Sequence, residues 1–99
     1  MSDTLNQRPI RTDAQLLEDF FNKLEDLGTW YIYMVEKAPV RMFINPVILQ
    51  RLSVMDGFYQ RKELRTQVTT YSPVISRMVF SFGVVEIIES YIEPFLHFE

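Results

Sequence analysis

Residues 12–28 read TDAQLLEDFFNKLEDLG, and the fold is built around this stretch. Its large apolar residues recur at spacings of one, three and four, as they do along one face of a helix; they are Leu16, Leu17, Phe20, Phe21, Leu24 and Leu27. Most of the remaining positions are acidic or polar, as expected of a side that faces water. The stretch therefore predicts an amphipathic helix that packs against the rest of the chain.

The ends of this helix are also marked in the sequence. Thr12 or Asp13 is a suitable N-cap, and Gln15 would complete a capping box with Thr12. Gly28 stands where a helix commonly ends, because glycine adopts the left-handed conformation of a C-terminal cap. We expect the helix to cover residues 13–27.

Residues 29–35, TWYIYMV, are dense in aromatic and β-branched side chains and are too few for a second helix. Residues 36–39 contain a lysine and a proline and resemble a turn, and residues 40–44 are again rich in strand formers. The pattern predicts a β-hairpin formed by residues 29–35 and 40–44.

A short helix is predicted next, over residues 46–54. Asn45 can accept a hydrogen bond from the first free N–H groups, and Pro46 lacks the N–H that the first helical position leaves unpaired. The helix should stop near Gly57. Further on, residues 63–71 alternate between strand-forming and polar side chains, which predicts a strand.

The last third of the chain fits two interpretations. With a period of two, residues 74–82 and 84–92 form strands on either side of Gly83. With a helical period, Ser72 and Pro73 begin a helix that ends at Gly83, and a second helix follows. The density of Val, Ile and Phe favours strands, whereas the glutamates of residues 84–92 favour a helix. We expect a strand over 74–82 and leave 84–92 open, with Pro94 ending either element.

These elements predict an α+β fold in which an amphipathic N-terminal helix packs on a mostly antiparallel sheet. The sheet would comprise residues 29–35, 40–44, 63–71 and 74–82, with the short second helix beside it. The length of 99 residues suits one domain. We expect residues 1–12 to be a flexible lead-in and residues 13–99 to form a single domain.

The net charge of −3 conceals three blocks of alternating sign. Residues 13–36 carry six acidic residues and one lysine, a net charge of −5. Residues 37–77 carry seven basic and two acidic residues, a net charge of +5, and residues 78–99 carry four glutamates and no Lys or Arg. Such blocks can meet within one fold or between copies of it, where they would orient a contact more than stabilise it.

The aromatic content is high for a chain of this length, with eight Phe, five Tyr and one Trp. Each such ring can bury about 150–250 Å², so we expect some rings to lie at an interface, where Trp, Tyr and Met are enriched. The candidate interface residues are Trp30, Tyr31, Tyr33, Phe43, Phe58 and Tyr59.

A basic segment suggests a different function. Residues 58–65, FYQRKELR, interleave aromatic and basic side chains, which can stack on bases and neutralise phosphates. The candidate nucleic-acid contacts are Arg51, Arg61, Lys62 and Arg65. The sequence pI near 5.1 weighs against this alternative, because dedicated nucleic-acid binders are usually basic overall.

The sequence offers little for catalysis. The chain has no cysteine, so thiolate nucleophiles and thiolate metal sites are excluded. His97 is the only histidine and lies near the chain end, and pairs such as Glu18 with Asp19 suit a solvated helix face. The three glycines are isolated, so no phosphate-binding loop is present. We predict no catalytic residue, no metal, no cofactor and no small-molecule substrate.

The predicted function is therefore a non-enzymatic protein interaction or assembly module that forms a homodimer or binds another protein, with nucleic-acid binding as the alternative. The first residues lack the apolar core of a secretory signal, and charged residues interrupt the most apolar stretch. These features predict a cytoplasmic location without membrane contact. Accessory proteins of viruses and mobile elements are often of this type, and for a viral protein the location would be the host cytoplasm.

Overall fold

A long helix and a five-stranded sheet form most of the chain that the computed structural model describes, which is residues 11–68 and 73–99. The helices are α1 (Asp13–Val35) and α2 (Pro46–Ser53), and a 3-10 turn covers Phe58–Gln60. The strands are β1 (Arg41–Ile44), β2 (Leu64–Val68), β3 (Pro73–Phe80), β4 (Gly83–Glu89) and β5 (Leu96–Phe98). The predicted α+β class is confirmed. Residues 1–10 of the predicted lead-in lie outside the described residues.

The sheet has the strand order β2-β3-β4-β1-β5. Strands β2, β3 and β4 are antiparallel neighbours, β1 runs parallel to β4, and β5 pairs antiparallel with β1. The sheet is thus mostly antiparallel, as predicted, and its one parallel pair lies away from its edges.

The first helix begins as the sequence predicts. Thr12 Oγ1 accepts a hydrogen bond from the Gln15 N–H at 3.2 Å, and Gln15 Oε1 accepts from the Thr12 N–H at 3.0 Å. This capping box satisfies two N–H groups that a helix start leaves free. Asn45 caps α2 in the same manner, since its Oδ1 accepts from the Val47 N–H at 2.8 Å.

The predicted end of α1 and the predicted hairpin are wrong. The helix continues through Gly28 to Val35, so residues 29–35 are helical and pair with no strand. Gly28 is buried, and a Cβ built on it would overlap with the ring of Phe82. The glycine is present because the Phe82 ring occupies the space of a side chain, and the strand preference of the aromatic residues yields to this packing.

The helix ends instead at Glu36, which has a φ of 66°. The Glu36 N–H donates to the Ile32 carbonyl at 2.8 Å, which closes the last turn. A left-handed conformation is the usual cap of a helix, but here it is adopted by a residue with a Cβ rather than by glycine.

The strand predictions hold in most of their range. The predicted strand 63–71 contains β2, and its residues 69–71 lie outside the described residues. The predicted strand 74–82 matches β3, which ends at Phe80. The open question over 84–92 is settled for a strand, β4, which ends before the predicted stop at Pro94. It is a strand because it is hydrogen-bonded on both sides, to β3 and to β1.

One sheet face and one face of α1 form the core. A register shift between Arg65 and Thr66 lets β3 place both Ile75 and Met78 in this core, because two residues of β3 lie opposite one of β2. The buried apolar residues are Leu17, Phe21, Leu24, Met42, Ile44, Leu52, Phe58, Leu64, Ile75, Met78, Phe80, Val85 and Phe98.

Helix α1 crosses the strands. Its Asp13 accepts a hydrogen bond from the Asp56 N–H at 2.7 Å, its Glu25 carboxylate accepts from Ser81 in the β3–β4 turn, and the helix also contacts β5. Twenty-three helical residues span about 35 Å, whereas the outer strands of a five-stranded sheet lie about 19 Å apart. The helix is therefore longer than the sheet is wide, and part of it is left without a layer beneath.

We predict that Gly28→Ala destabilises the protein by about 1–3 kcal/mol, because the new methyl group collides with Phe82. In a Phe82→Ala background the same change should stabilise by about 1 kcal/mol, since alanine favours the helix. Urea unfolding of the four proteins measures this coupling. Equal effects of Gly28→Ala in both backgrounds would contradict the packing role.

We also predict that Glu36→Gly raises the free energy of unfolding by about 1 kcal/mol, because it removes the cost of a Cβ in the left-handed region. Lys37→Gly is the matched control, since Lys37 does not have a positive φ. That change should destabilise through the unfolded chain. Thermal unfolding of both variants decides the point, and a loss of stability in each would refute it.

Candidate functional site

A second apolar face runs along α1 beside the face that enters the core. Its members are separated by four, three, four, three and four residues, the spacing at which one helix packs along another. We call this set the α1 stripe; it comprises Leu16, Phe20, Lys23, Leu27, Trp30 and Met34. Lys23 is its one charged member.

The exposure of the α1 stripe increases toward the end of the helix. Leu16 is 38% exposed, Leu27 46%, Trp30 61% and Met34 63%. Tyr33, which flanks the stripe, is 74% exposed, and its ring stacks on Trp30 with centroids 5.4 Å apart. The most exposed part of the stripe thus lies in the helical residues that follow Gly28.

The six predicted interface residues lie in separate places. Trp30 and Tyr33 are exposed on α1, whereas Tyr31 is half-buried and packs against the core. Phe43 is on the other face of the sheet, where its half-buried ring stacks on His97 with centroids 4.9 Å apart. Only Trp30 and Tyr33 therefore belong to the exposed helix surface.

The remaining two predicted interface residues, Phe58 and Tyr59, follow Gly57. The prediction that Phe58 lies at an interface is wrong. Phe58 is 0% exposed and stacks on Phe21 inside the core, so it is excluded from any surface. The 3-10 turn after Gly57 directs it inward. Tyr59 is 44% exposed and contacts the Phe58 ring edge-on.

Sequence reasoning missed Met34 as a helix residue and assigned Leu16, Phe20 and Leu27 to one inward face. The signal was present, because the four-three spacing runs unbroken from Leu16 to Met34. The spacing was not recognised as one pattern, because the helix was expected to stop at Gly28.

Within the basic segment, Arg61 is already paired with acidic residues of the same chain. Arg61 Nη1 donates to Glu18 at 2.8 Å, and its Nε and Nη2 donate to the two oxygens of Glu63 at 3.1 and 3.0 Å. Its guanidinium also lies 4.8 Å from the centroid of the Phe21 ring. With a side chain only 19% exposed, Arg61 serves to join the start of β2 to α1.

The charges of this cluster stabilise one another. The hydrogen bond and the positive charge of Arg61 lower the pKa of Glu18. Burial opposes the charge of Arg61, but its hydrogen bonds to Glu18 and Glu63 outweigh this and raise the pKa of Arg61. Both groups are therefore charged at neutral pH, and the pair is a structural link.

The other candidate nucleic-acid contacts are more accessible. Lys62 is exposed, and Arg65 Nη1 donates to the carbonyls of Lys62 and Leu64 at 2.7 and 2.8 Å. Lys62 and Arg65 line a groove of about 860 Å³ together with Arg61, but three glutamates, Glu18, Glu25 and Glu63, line it too. Arg51 lies on α2, outside this groove. The mixture of signs disfavours a phosphate backbone here, and nucleic-acid binding stays a prediction.

The charge blocks meet within the chain at several points. The ion pair of Glu18 and Arg61 joins the first acidic block to the basic block. The ion pair of Arg41 and Glu86, at 4.0 Å, joins the basic block to the last acidic block. Arg11 pairs with Asp19. Lys23 and Asp26, next to or within the α1 stripe, make no ion pair in residues 11–68 and 73–99.

Among the described residues, no group of three or more His, Cys, Asp or Glu is arranged to hold a metal ion. Within the same part of the chain, neither helix combines the length and the apolar character that crossing a membrane requires. No protein-family model, no curated protein and no solved structure matches the chain.

We predict that Glu18 contributes to acid sensitivity. Because its folded pKa is lowered, its stabilising effect is complete above the usual glutamate pKa of about 4.3 and is lost as pH falls from there through the folded pKa. Glu18→Gln should therefore reduce the loss of stability on acidification, measured by urea unfolding between neutral and acidic pH. Asp26→Asn is the control, and an identical pH profile for Glu18→Gln and the unmodified protein would contradict the role.

Proposed function

We propose that this chain is a non-enzymatic protein interaction module that self-associates through the α1 stripe. The observation that carries the proposal is the position of Leu27, Trp30 and Met34, which share one side of α1 at helix-pairing spacing while remaining 46–63% exposed. Exposed apolar surface of this contiguity is typical of interaction sites.

The energetics favour a modest association. Burying a large apolar side chain contributes about 1.5–3 kcal/mol, and several such residues lie on the stripe. Association also costs translational and rotational freedom, and stable interfaces usually bury about 1,600 Å² in total. Because only one helix of each copy contributes to the contact, we expect a reversible complex of micromolar affinity.

The position of His97 supports a non-enzymatic role. Its ring stacks on Phe43, and its Nε2 lies 3.9 Å from Glu99 on an open face of the sheet. A general acid or base is usually held in a cleft beside its substrate, and the neighbouring Arg41 and Glu99 of this face are exposed. The cytoplasmic location and the origin in a virus or mobile element stay predictions.

We predict that Trp30→Glu abolishes self-association, because it places a charge in the apolar contact. The helix should remain intact, since glutamate favours a helix more than tryptophan does. Light scattering on a size-exclusion column, over a range of protein concentrations, measures the mass, and circular dichroism checks the helix content.

Val54→Glu is the matched control, because it makes the same charge change at an apolar residue that is 79% exposed but lies away from α1, at the C-cap of α2. It should leave the mass unchanged. A monomer at every concentration for the unmodified protein would refute self-association, and equal loss of association in both variants would refute the role of the stripe.

A further inference from the structure

We propose that two copies of the chain pair their α1 helices antiparallel about a two-fold axis, with Leu27 of each copy opposite Trp30 of the other. This rests on the proposed function and adds the orientation of the two helices and the register of their contact. The same register places Lys23 opposite the second copy's Met34, because the stripe spacing repeats.

The centre of the pairing follows from exposure. Leu27 and Trp30 lie in the half of the stripe where exposure is high, and Met34 and Tyr33 next to them are 63% and 74% exposed. At the other end, Leu16 is 38% exposed, and Phe20 is half-buried because it packs against the core. A two-fold axis between Leu27 and Trp30 places the most exposed apolar members of the stripe at the centre of the contact in both copies.

Lys23 decides the orientation. In a parallel pair each residue of the stripe meets its own counterpart, so two Lys23 ammonium groups would face each other within an apolar contact. In an antiparallel pair each Lys23 lies against Met34 instead, where its stem can pack and its ammonium can reach water. A single polar residue in such a stripe is a known means of fixing the arrangement of paired helices.

The distribution of acidic residues favours the same orientation. Five of the six acidic residues of α1 and its cap lie in its first 14 residues; they are Asp13, Glu18, Asp19, Glu25 and Asp26. A parallel pair would lay the acidic half of one helix along the acidic half of the other. In the proposed pair the acidic halves extend away from each other at opposite ends, which lowers the repulsion.

The flanks of the stripe select the register. Asp26 and Tyr33 lie seven residues apart on one flank, and in an antiparallel pair the same flanks meet. With Leu27 opposite Trp30, the Asp26 carboxylate of one copy lies beside the Tyr33 hydroxyl of the other. The hydroxyl can then donate a hydrogen bond to the carboxylate. A shift of the pairing toward the helix start would instead bring Asp26 to the two-fold axis, where two carboxylates would repel.

Disulfide trapping tests this geometry, and the chain has no cysteine of its own. Asp26→Cys and Tyr33→Cys proteins, which keep every residue of the α1 stripe, are mixed and equilibrated in a glutathione redox buffer. The expected result is a mixed disulfide between the two variants well above its random share. The same mixture in urea, where the helices are unfolded, should give the random share.

Other outcomes overturn the proposal in distinguishable ways. A dominant Asp26→Cys self-disulfide indicates the shifted antiparallel register, and a random mixture in native buffer from a protein that is dimeric by light scattering indicates a parallel pair or another surface. Both refute the geometry while self-association stands, whereas a monomeric unmodified protein refutes the proposed function itself.

Lys23 provides a second measurement. Lys23→Leu should tighten the association and reduce the excess of the mixed disulfide, because it removes the polar residue that disfavours the parallel pair. Lys23→Arg keeps the charge and should leave the excess unchanged. If Lys23→Leu leaves both the affinity and the excess unchanged, Lys23 does not set the orientation and the argument for an antiparallel pair fails.

Discussion

The contact between Gly28 and Phe82 governs the architecture of this chain. Without a side chain at residue 28, the helix can lie against the ring of the β3–β4 turn and continue past it without a break. The Phe82 ring is itself fixed by Phe80, on which it stacks, and by the edge of Phe98. A larger residue at position 28 would lift the second half of α1 from the sheet. The close approach therefore determines both where the helix rests and how much of it extends beyond the layer below.

Polar contacts then fix α1 along the end of the sheet. Asp13 accepts from the backbone N–H of Asp56, Glu18 from Arg61, and Glu25 from Ser81, so each carboxylate joins a different loop or turn to the helix. Such bonds are individually modest when exposed, but they are spaced along the first half of α1 and orient it. The second half lacks comparable bonds to the sheet among the described residues, and there the exposed rings are found. The acidic block identified in the sequence is thus largely explained by the attachment of the helix to its own chain.

The elements that could be predicted from the sequence are those with local causes. The capping box of Thr12 and Gln15 and the Asn45–Pro46 start of α2 depend on neighbouring residues, and both formed as expected. The helical state of residues 29–35 depends on Phe82, which is distant in sequence, so the local strand preference of TWYIYMV was misleading. Phe58 was misplaced for a similar reason, since the turn at Gly57 directs it into the core against Phe21 of α1, which is distant in sequence. Of the candidate surface, Trp30 and Tyr33 were identified as exposed rings, but the stripe that connects them to Leu16 could be recognised only once α1 was known to be continuous.

The two faces of α1 explain why a helix of this length occurs on so small a sheet. A helix that served only the core could end once Leu17, Phe21 and Leu24 were covered, and Gly28 offers a natural place to stop. The chain instead continues for seven more residues, of which Trp30, Tyr33 and Met34 are mostly exposed. Exposed rings stabilise a monomer little, since burial is the main source of their contribution. Their presence at regular spacing supports the proposal that a second surface buries them. Another copy of the same helix suits that proposal, since a two-fold pair lets one apolar stripe serve as both halves of the contact.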